Sequence, residues 1–420
     1  MDLKSAALLV LTLVLVQFAI AAFVEARGER LERRVRLRHG AYALALGVYC
    51  TSWTFYGAVG TAVREGWNYL PIYVAPIMVL LFAPRFLRKL TQAVADEQAT
   101  TVSDFIAARF GHDVIVARLV TVIALAGSIP YVALQLRSIG TAMALVSGQR
   151  VGVPVMMLAA LLLALFAVLY GARRYELAGR SEGLVYATGL DSLLKLAALT
   201  AVALLALSIL GRENPHLVDR SVAQLKEGFR PEHLSLDTAV IALLSAFAII
   251  ALPRQFYMGL VEARAPGDLV RARFGLSAYI AVMAALALPI ALAGVSLFGP
   301  AIAPDRYVLQ LPIVAGSSTV LAAALLGGVS AAASMAIVDT TALATMVSND
   351  LVFPTVLRSE AAPQEGGIGR RMLQVRRVSI LGIMLLALSW AMMVSPRNSL
   401  ASIGLIAFAA MAQFSPHLLL

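Results

Sequence analysis

One cysteine, Cys50, is all that the 420 residues contain. That excludes a disulfide within the chain and any zinc site built on thiolates. The five histidines, His39, His112, His216, His233 and His417, are scattered without the spacing a metal would use. Charged residues make up only 14% of the chain, too few to solvate the surface of a water-soluble protein of this length. No glycine-rich phosphate loop ending in Lys and Ser or Thr is present, which excludes an ATP-driven pump of that kind. No Ser/His/Asp or Cys/His arrangement stands out, so no catalytic residue is assigned and an enzyme is not expected.

What the chain has instead is apolar sequence: 60% hydrophobic residues and a mean hydropathy of +0.83. A run of about 20 apolar residues crosses the hydrocarbon slab as a helix. Backbone polar groups must be satisfied within that slab, which favours helices over open strands. Eleven such runs are legible, at 6–24, 41–62, 67–90, 115–147, 152–171, 183–210, 237–258, 274–299, 315–347, 378–395 and 399–420. The expected class is an all-α polytopic membrane protein, with the lipid bilayer as its surroundings. Lys4 and the first run look like a secretory signal. Glu25 and a stretch of arginines follow, with no small-residue cleavage site, so a retained transmembrane helix is expected.

The net charge of +10 has an address. Arg27, Arg30, Arg33, Arg34, Arg36 and Arg38 follow the first run, and the loops near 85–118, 172–182, 254–273 and 350–377 continue the pattern. Together these alternate loops hold 23 Lys and Arg, against nine on the other side. Basic loops stay cytoplasmic when short loops are sorted at insertion. The N-terminus is therefore expected outside, and no nucleic-acid partner is needed to explain the charge.

Ten runs remain when the first is set aside, five and five. Because five is odd, the two sets run in opposite directions, the layout of many secondary transporters. The expected organisation is 1–39 for the first helix and its basic loop, 40–211 for one five-helix unit, 212–236 for an external loop and 237–420 for the second unit. In such folds the first helix of each unit is discontinuous. Here the first unit carries Gly47-Val48-Tyr49-Cys50-Thr51-Ser52-Trp53-Thr54-Phe55-Tyr56-Gly57, and the second carries Ser245-Ala246-Phe247 and then Pro253-Arg254-Gln255. Unwound backbone there offers carbonyls to a cation and helix N-termini to an anion. Small residues also serve close helix packing. Cys50 through Trp53, with Tyr56, mark the candidate solute site.

Ionisable residues inside spans usually face a cavity or a partner. Asp191 and Lys195, four apart, are placed to pair with each other, as a structural or a functional pair. Arg137 lies deep in the fourth run, where it is a candidate to bind a solute carboxylate or to pair with an acidic neighbour. The ninth run is the most polar, from Ser330 through Asp339-Thr340-Thr341. Ala331, Ser334 and Val338 share one of its faces. Such oxygens suit a hard cation such as Na⁺, although Ser and Thr also bond back to their own helix.

Several separated stretches resemble one family. Tyr49-Cys50-Thr51-Ser52-Trp53-Thr54-Phe55-Tyr56-Gly57-Ala58-Val59-Gly60 is similar to the first core helix of the sodium:solute symporters. Thr101-Val102-Ser103-Asp104-Phe105-Ile106 with Arg109-Phe110-Gly111 resembles the segment after their second core helix, and Ser348-Asn349-Asp350-Leu351 the end of their eighth. Leu252-Pro253-Arg254-Gln255-Phe256 with Val261-Glu262 resembles the branch fused to bacterial sensor histidine kinases. The resemblance runs from about residue 40 onward.

It implies a LeuT-type 5+5 inverted repeat with one extra N-terminal transmembrane helix, in a bacterial inner (plasma) membrane. It also implies Na⁺-coupled uptake of a small organic solute, an amino acid such as histidine or proline, by alternating access. By the same resemblance sodium would be held by carbonyls of Gly47, Cys50 and Ala331 and the hydroxyl of Ser334. The solute would meet Cys50, Trp53, Tyr56, Arg137 and Ser245. Two positions depart from the pattern: Met335 stands where a second sodium hydroxyl is expected, and Tyr49 where an acidic residue is. Asp339, one turn beyond Met335, could supply the missing charge from off the family position. Proton coupling therefore stands beside sodium coupling. The alternative reading is a solute-sensing module with little or no transport, whose partner would be a downstream kinase or response regulator. The kinase module itself is not written in these residues. They end inside an apolar run, which predicts a truncated second unit.

Overall fold

The computed structural model describes residues 1–27, 35–172, 181–354, 367–393 and 400–419. Arg30, Arg33, Arg34, Arg173, Arg174, Arg180, Arg358 and Arg397, which weigh in the charge count, lie outside the described residues. Among the described residues there is no strand. The first unit is preceded by α1 (Leu3–Ala26) and contains α2 (Val35–Ala45), α3 (Ala58–Glu65), α4 (Pro71–Phe82), α5 (Pro84–Asp96), the short α6 (Val102–Ala108), α7 (Val114–Ser147), α8 (Gly152–Gly171) and α9 (Glu182–Leu210). After α10 (Pro215–Gly228) come α11 (Leu236–Ala251), α12 (Pro253–Val261), α13 (Asp268–Phe298), α14 (Tyr307–Val314), α15 (Ser318–Val352), α16 (Gly367–Met393) and α17 (Leu400–Ala412).

Among the described residues seven helices are single pieces long and apolar enough to span a bilayer, and two bent pairs raise the number to nine. Eleven runs were expected. The run at 41–62 fails the length test because the helix is interrupted within it, and α17 has only 13 residues. The run at 67–90 is a helix folded by 82° between α4 and α5. Pro84 explains the position: proline pushes the residue before it out of helical geometry, and Ala83 sits at φ −113°, ψ 42°. Leu8, Leu15, Phe82, Ile115, Leu161, Leu204, Leu243 and Leu385 all expose more than half of their surface. They lie on many different helices, as a bundle surrounded by lipid requires and one in water rarely tolerates.

One helix is unlike the rest. In α15, 78% of the most apolar stretch is buried, against 50% or less in the other six single-piece spans. Its small residues make this enclosure geometrically accessible. A side chain at Gly328 would collide with the Tyr56 ring, and one at Gly327 with Ala198 of α9 and Phe55. α9 and α7 pack along it, and α16 and α12 complete the enclosure. α15 is the axle of the bundle, and both helix breaks face inward toward it.

The two breaks have different local causes. After α2 a tight turn over Leu46–Tyr49 ends at Cys50, whose backbone is extended (ψ 106°). Polar side chains then hold the open backbone. Thr51 Oγ1 accepts from the Trp53 amide at 3.2 Å, Thr54 Oγ1 donates to the Thr51 carbonyl at 2.8 Å, and the Ser52 amide donates to Gln135 Oε1 at 3.2 Å. Between α11 and α12 the cause is covalent. Leu252 is extended (ψ 133°) because Pro253 follows it and opens the next helix, giving a bend of 46°.

Candidate functional site

At the first break the carbonyls released by the turn have a partner from α9. Lys195 Nζ donates to the Gly47 carbonyl at 2.7 Å and to the Cys50 carbonyl at 2.6 Å, and the lysine is fully buried. Gly47 permits this approach: a Cβ there would come within 2.7 Å of Ser192 Oγ on the same face of α9. The Gly47 carbonyl also accepts from the Cys50 amide at 3.0 Å. Spacing places Asp191 beside Lys195, and the two charges attract each other across one helical turn, but among the described residues no ion pair joins them. Asp191 instead accepts from Gln17 Nε2 of α1 at 2.6 Å. Gln17 is 174 residues away in sequence, beyond the reach of any spacing rule.

At the second break Arg254 opens α12 and faces Asp339 of α15. Arg254 Nη1 and Asp339 Oδ2 are 4.0 Å apart and both side chains are fully buried. No guanidinium nitrogen of Arg254 and no carboxylate oxygen of Asp339 makes a hydrogen bond. Ser128 and the Arg254 backbone are polar groups beside the carboxylate. With the two charges opposed at 4.0 Å in a buried site, this is a costly arrangement for scaffold alone.

One helix joins the two breaks. Tyr131 of α7 shares a hydrogen bond of 3.0 Å with Thr51 at the first break, while its ring lies 4.8 Å from the Arg254 guanidinium carbon at the second. One turn on, Gln135 holds the Ser52 amide. Neither Tyr131 nor Asp339 belonged to the expected solute set. A buried tyrosine following Pro130 in a polar stretch was the available signal.

The expected solute residues separate into two groups. Tyr56 and Arg137 line a cavity of about 160 Å³ together with Thr141, Asp305, Arg306 and Leu309. Cys50, Trp53 and Ser245 do not line it. Trp53 is buried edge-on against Phe408 at 5.9 Å, with Nε1 lacking a hydrogen bond. Ser245 is fully buried and its hydroxyl also lacks one. The cavity lies on the side away from the basic loops, where Arg64 holds Asp305 at 3.0 Å. Burial raises the carboxyl of Asp305, and Arg64 opposes that.

The basic-loop side is closed by a denser network. Arg38 binds Glu182 at 3.2 Å and the Glu262 carbonyl at 2.8 Å, while Arg264 binds Glu182 at 2.7 Å. Glu262 in turn accepts from the Ser181 amide at 3.1 Å. Burial pushes its carboxyl up to about 7. Two of the motifs quoted above also meet on this side: Asn349 donates to Thr100 at 3.1 Å, and Thr100 donates to Asp104 at 2.6 Å.

The sodium expectation can be tested against these atoms. A hard cation needs several oxygens free to turn toward it. Of the four expected ligands, the Gly47 and Cys50 carbonyls are bonded to an ammonium. Ser334 Oγ points back to the Ala331 carbonyl at 3.5 Å, and the next position is the apolar, buried Met335. A second cation about 4 Å from the ammonium would be repelled by about 4 kcal/mol even at an effective dielectric constant near 20. As arranged, these residues do not fit Na⁺.

No protein-family model matches the chain, and no curated protein sequence does. Its fold is nevertheless found among solved structures. The chain superposes on a Na⁺-coupled sialic acid symporter, captured substrate-bound and open to the outside, with a TM-score of 0.71. The match covers 97% of this chain and 85% of that one, at 14% sequence identity. At that identity the likeness establishes a shared architecture: this chain has the all-helical fold of a symporter.

Proposed function

We propose that the chain is a secondary transporter, driven by a monovalent cation gradient, that carries a small organic solute across the membrane by alternating access. The observation that carries the reading is the second break, where Arg254 and Asp339 stand opposed, buried and without hydrogen bonds. Such a pair is expensive as scaffold and well suited to a zwitterion, whose carboxylate the guanidinium would take and whose ammonium the carboxylate would take. An amino acid is therefore the proposed solute. Histidine and proline come from the resemblance alone. The cavity at Tyr56 and Arg137, with Arg306 on its wall, is the proposed outer approach to that site. The basic-loop network around Arg38 and Glu182 is the proposed closed gate.

The test is uptake of radiolabelled amino acids into proteoliposomes under a Na⁺ gradient, a proton gradient and none. Uptake that Arg254→Ala and Asp339→Ala each abolish supports the reading. Solute binding without uptake under any gradient contradicts it.

One observation favours a second reading. With Lys195 on the carbonyls at the first break, no ion needs to cycle through that site. That would suit a bundle that binds solute and reports occupancy, as a module of a sensor histidine kinase would, more than one that turns over.

A further inference from the structure

The first break presents two inward carbonyls where the sodium:solute symporters would be expected to hold an ion, and a lysine fills them. Three independent placements bring Lys195 there. Along α9, Asp191, Lys195 and Ala198 lie at offsets of four and seven and so share one face. Ala198 of that face meets Gly327 of α15, and Asp191 lies beside Ser330. Lys195 is thus set opposite α15 between Gly327 and Ser330, at the seam of α2, α9 and α15. From that seam its Nζ reaches the Gly47 and Cys50 carbonyls at 2.7 and 2.6 Å. These are lengths for a charged donor on a neutral acceptor.

The chemistry is complete without an added ion. An ammonium is a compact positive charge with hydrogens to offer to carbonyl oxygens, much as a bare cation offers its field. A negative group, Asp191, sits one helical turn away on the same face, held by Gln17 at 2.6 Å. The buried Cys50 thiol and the Arg254 guanidinium are the other ionisable groups near it. The missing second hydroxyl at Met335 fits the same account. A tethered ammonium takes its oxygens from the unwound backbone and asks for none from that position of α15.

We propose that the Lys195 ammonium is the resident cation of this site, standing where Na⁺ would otherwise bind between α2 and α15, so that the folded chain neither requires nor binds Na⁺ there. The claim concerns cation occupancy and holds whether or not the bundle transports, so its failure is separable from failure of the transport reading.

The experiment uses the purified full chain in detergent and follows thermal unfolding in NaCl, ammonium chloride and choline chloride at equal ionic strength. Wild type is expected to melt within about 1 °C in all three salts. Lys195→Ala removes the ammonium and leaves space. It is expected to melt lower in choline and to recover part of the loss in Na⁺ or ammonium, which can enter the space where choline cannot. Lys195→Met fills the space with an apolar chain and is expected to melt lower without recovery in any salt. A wild type stabilised specifically and saturably by Na⁺ overturns the proposal, as does a Lys195→Ala variant that responds to the three salts alike. If Lys195→Ala cannot be purified, the wild-type comparison decides alone.

Discussion

The two helix breaks solve the same problem in opposite ways. At the first, carbonyls freed at Gly47 and Cys50 meet a buried lysine at short distance, and the open amides of Ser52 and Trp53 meet Gln135 and Thr51. At the second, a proline excuses the backbone, while the charged side chains that face each other, Arg254 and Asp339, are left 4.0 Å apart with no hydrogen bonds. At the first break the freed backbone groups are satisfied from within the chain; at the second the opposed charged side chains are not. Buried polar groups in a finished scaffold are almost always paired. Under the proposed function, the difference separates a break that has been sealed from one that is held ready for a solute. Tyr131 touches both, through its hydroxyl at Thr51 and its ring at Arg254, and is the physical link by which filling one could be felt at the other.

The largest effect is expected at the unsealed break. Arg254→Met leaves Asp339 as an uncompensated buried charge and should cost about 3–5 kcal/mol of stability. Arg254→Leu combined with Asp339→Leu should regain most of that loss while abolishing solute binding. Thermal unfolding and equilibrium solute binding on the same preparations read both quantities. If the double variant is no more stable than the single, the pair is scaffold and the contrast between the breaks collapses.

At the sealed break a smaller loss is expected. Lys195→Met orphans the Cys50 carbonyl but leaves Gly47 its bond from the Cys50 amide, and the Asp191 carboxylate it uncovers keeps its bond from Gln17, so the cost is about 1–3 kcal/mol. Unfolding in choline chloride measures it without interference from small cations.

The third test lies on the basic-loop side. The carboxyl of Glu262 is raised from 4.5 to about 7 by burial, so the folded chain holds its proton more tightly than the unfolded chain does. The stability this adds is full below pH 4.5 and is lost as the pH rises through about 7. Glu262→Gln should flatten the melting temperature across that window. Above it the variant should gain about 1 kcal/mol, because the Ser181 amide loses a charged acceptor as the penalty disappears. A pH profile parallel to wild type would show that Glu262 is not the titrating group.

The smallest effect is expected at the opposite face. Arg64 and Asp305 are partly exposed, so Arg64→Ala should cost roughly 0.5 kcal/mol or less and the cost should fade with added salt. A loss that exceeds that of Lys195→Met would contradict the view that the inner seams, and not this rim, hold the bundle.

Much of this architecture was legible before any coordinates. Long apolar runs announce spans because lipid admits little else, and the placement of glycine, hydroxyls and proline marked both breaks. Local covalent signals were legible too, as with Pro253 at the second break. Pro84 carries the same signal, but hydropathy alone does not register an 82° fold inside a continuous apolar run. The partners of charged residues were the illegible part. Asp191 and Lys195 looked like a pair because they are four apart, yet each bonds to an element remote in sequence, Gln17 in one case and Gly47 with Cys50 in the other. Helical spacing reports which residues share a face, and only the packing of α1, α2 and α9 determines what that face meets. For the same reason Tyr56 and Arg137 could be named as solute residues but not placed together on one cavity wall.

If Lys195 is the cation of the first break, no Na⁺ site remains there. Equilibrium binding of ²²Na⁺ to the purified chain measures this directly. Wild type is expected to show no saturable binding at this site, and Lys195→Ala saturable binding that Lys195→Met lacks. Saturable binding of one Na⁺ by wild type that Ser334→Ala weakens, with Lys195 in place, would contradict it.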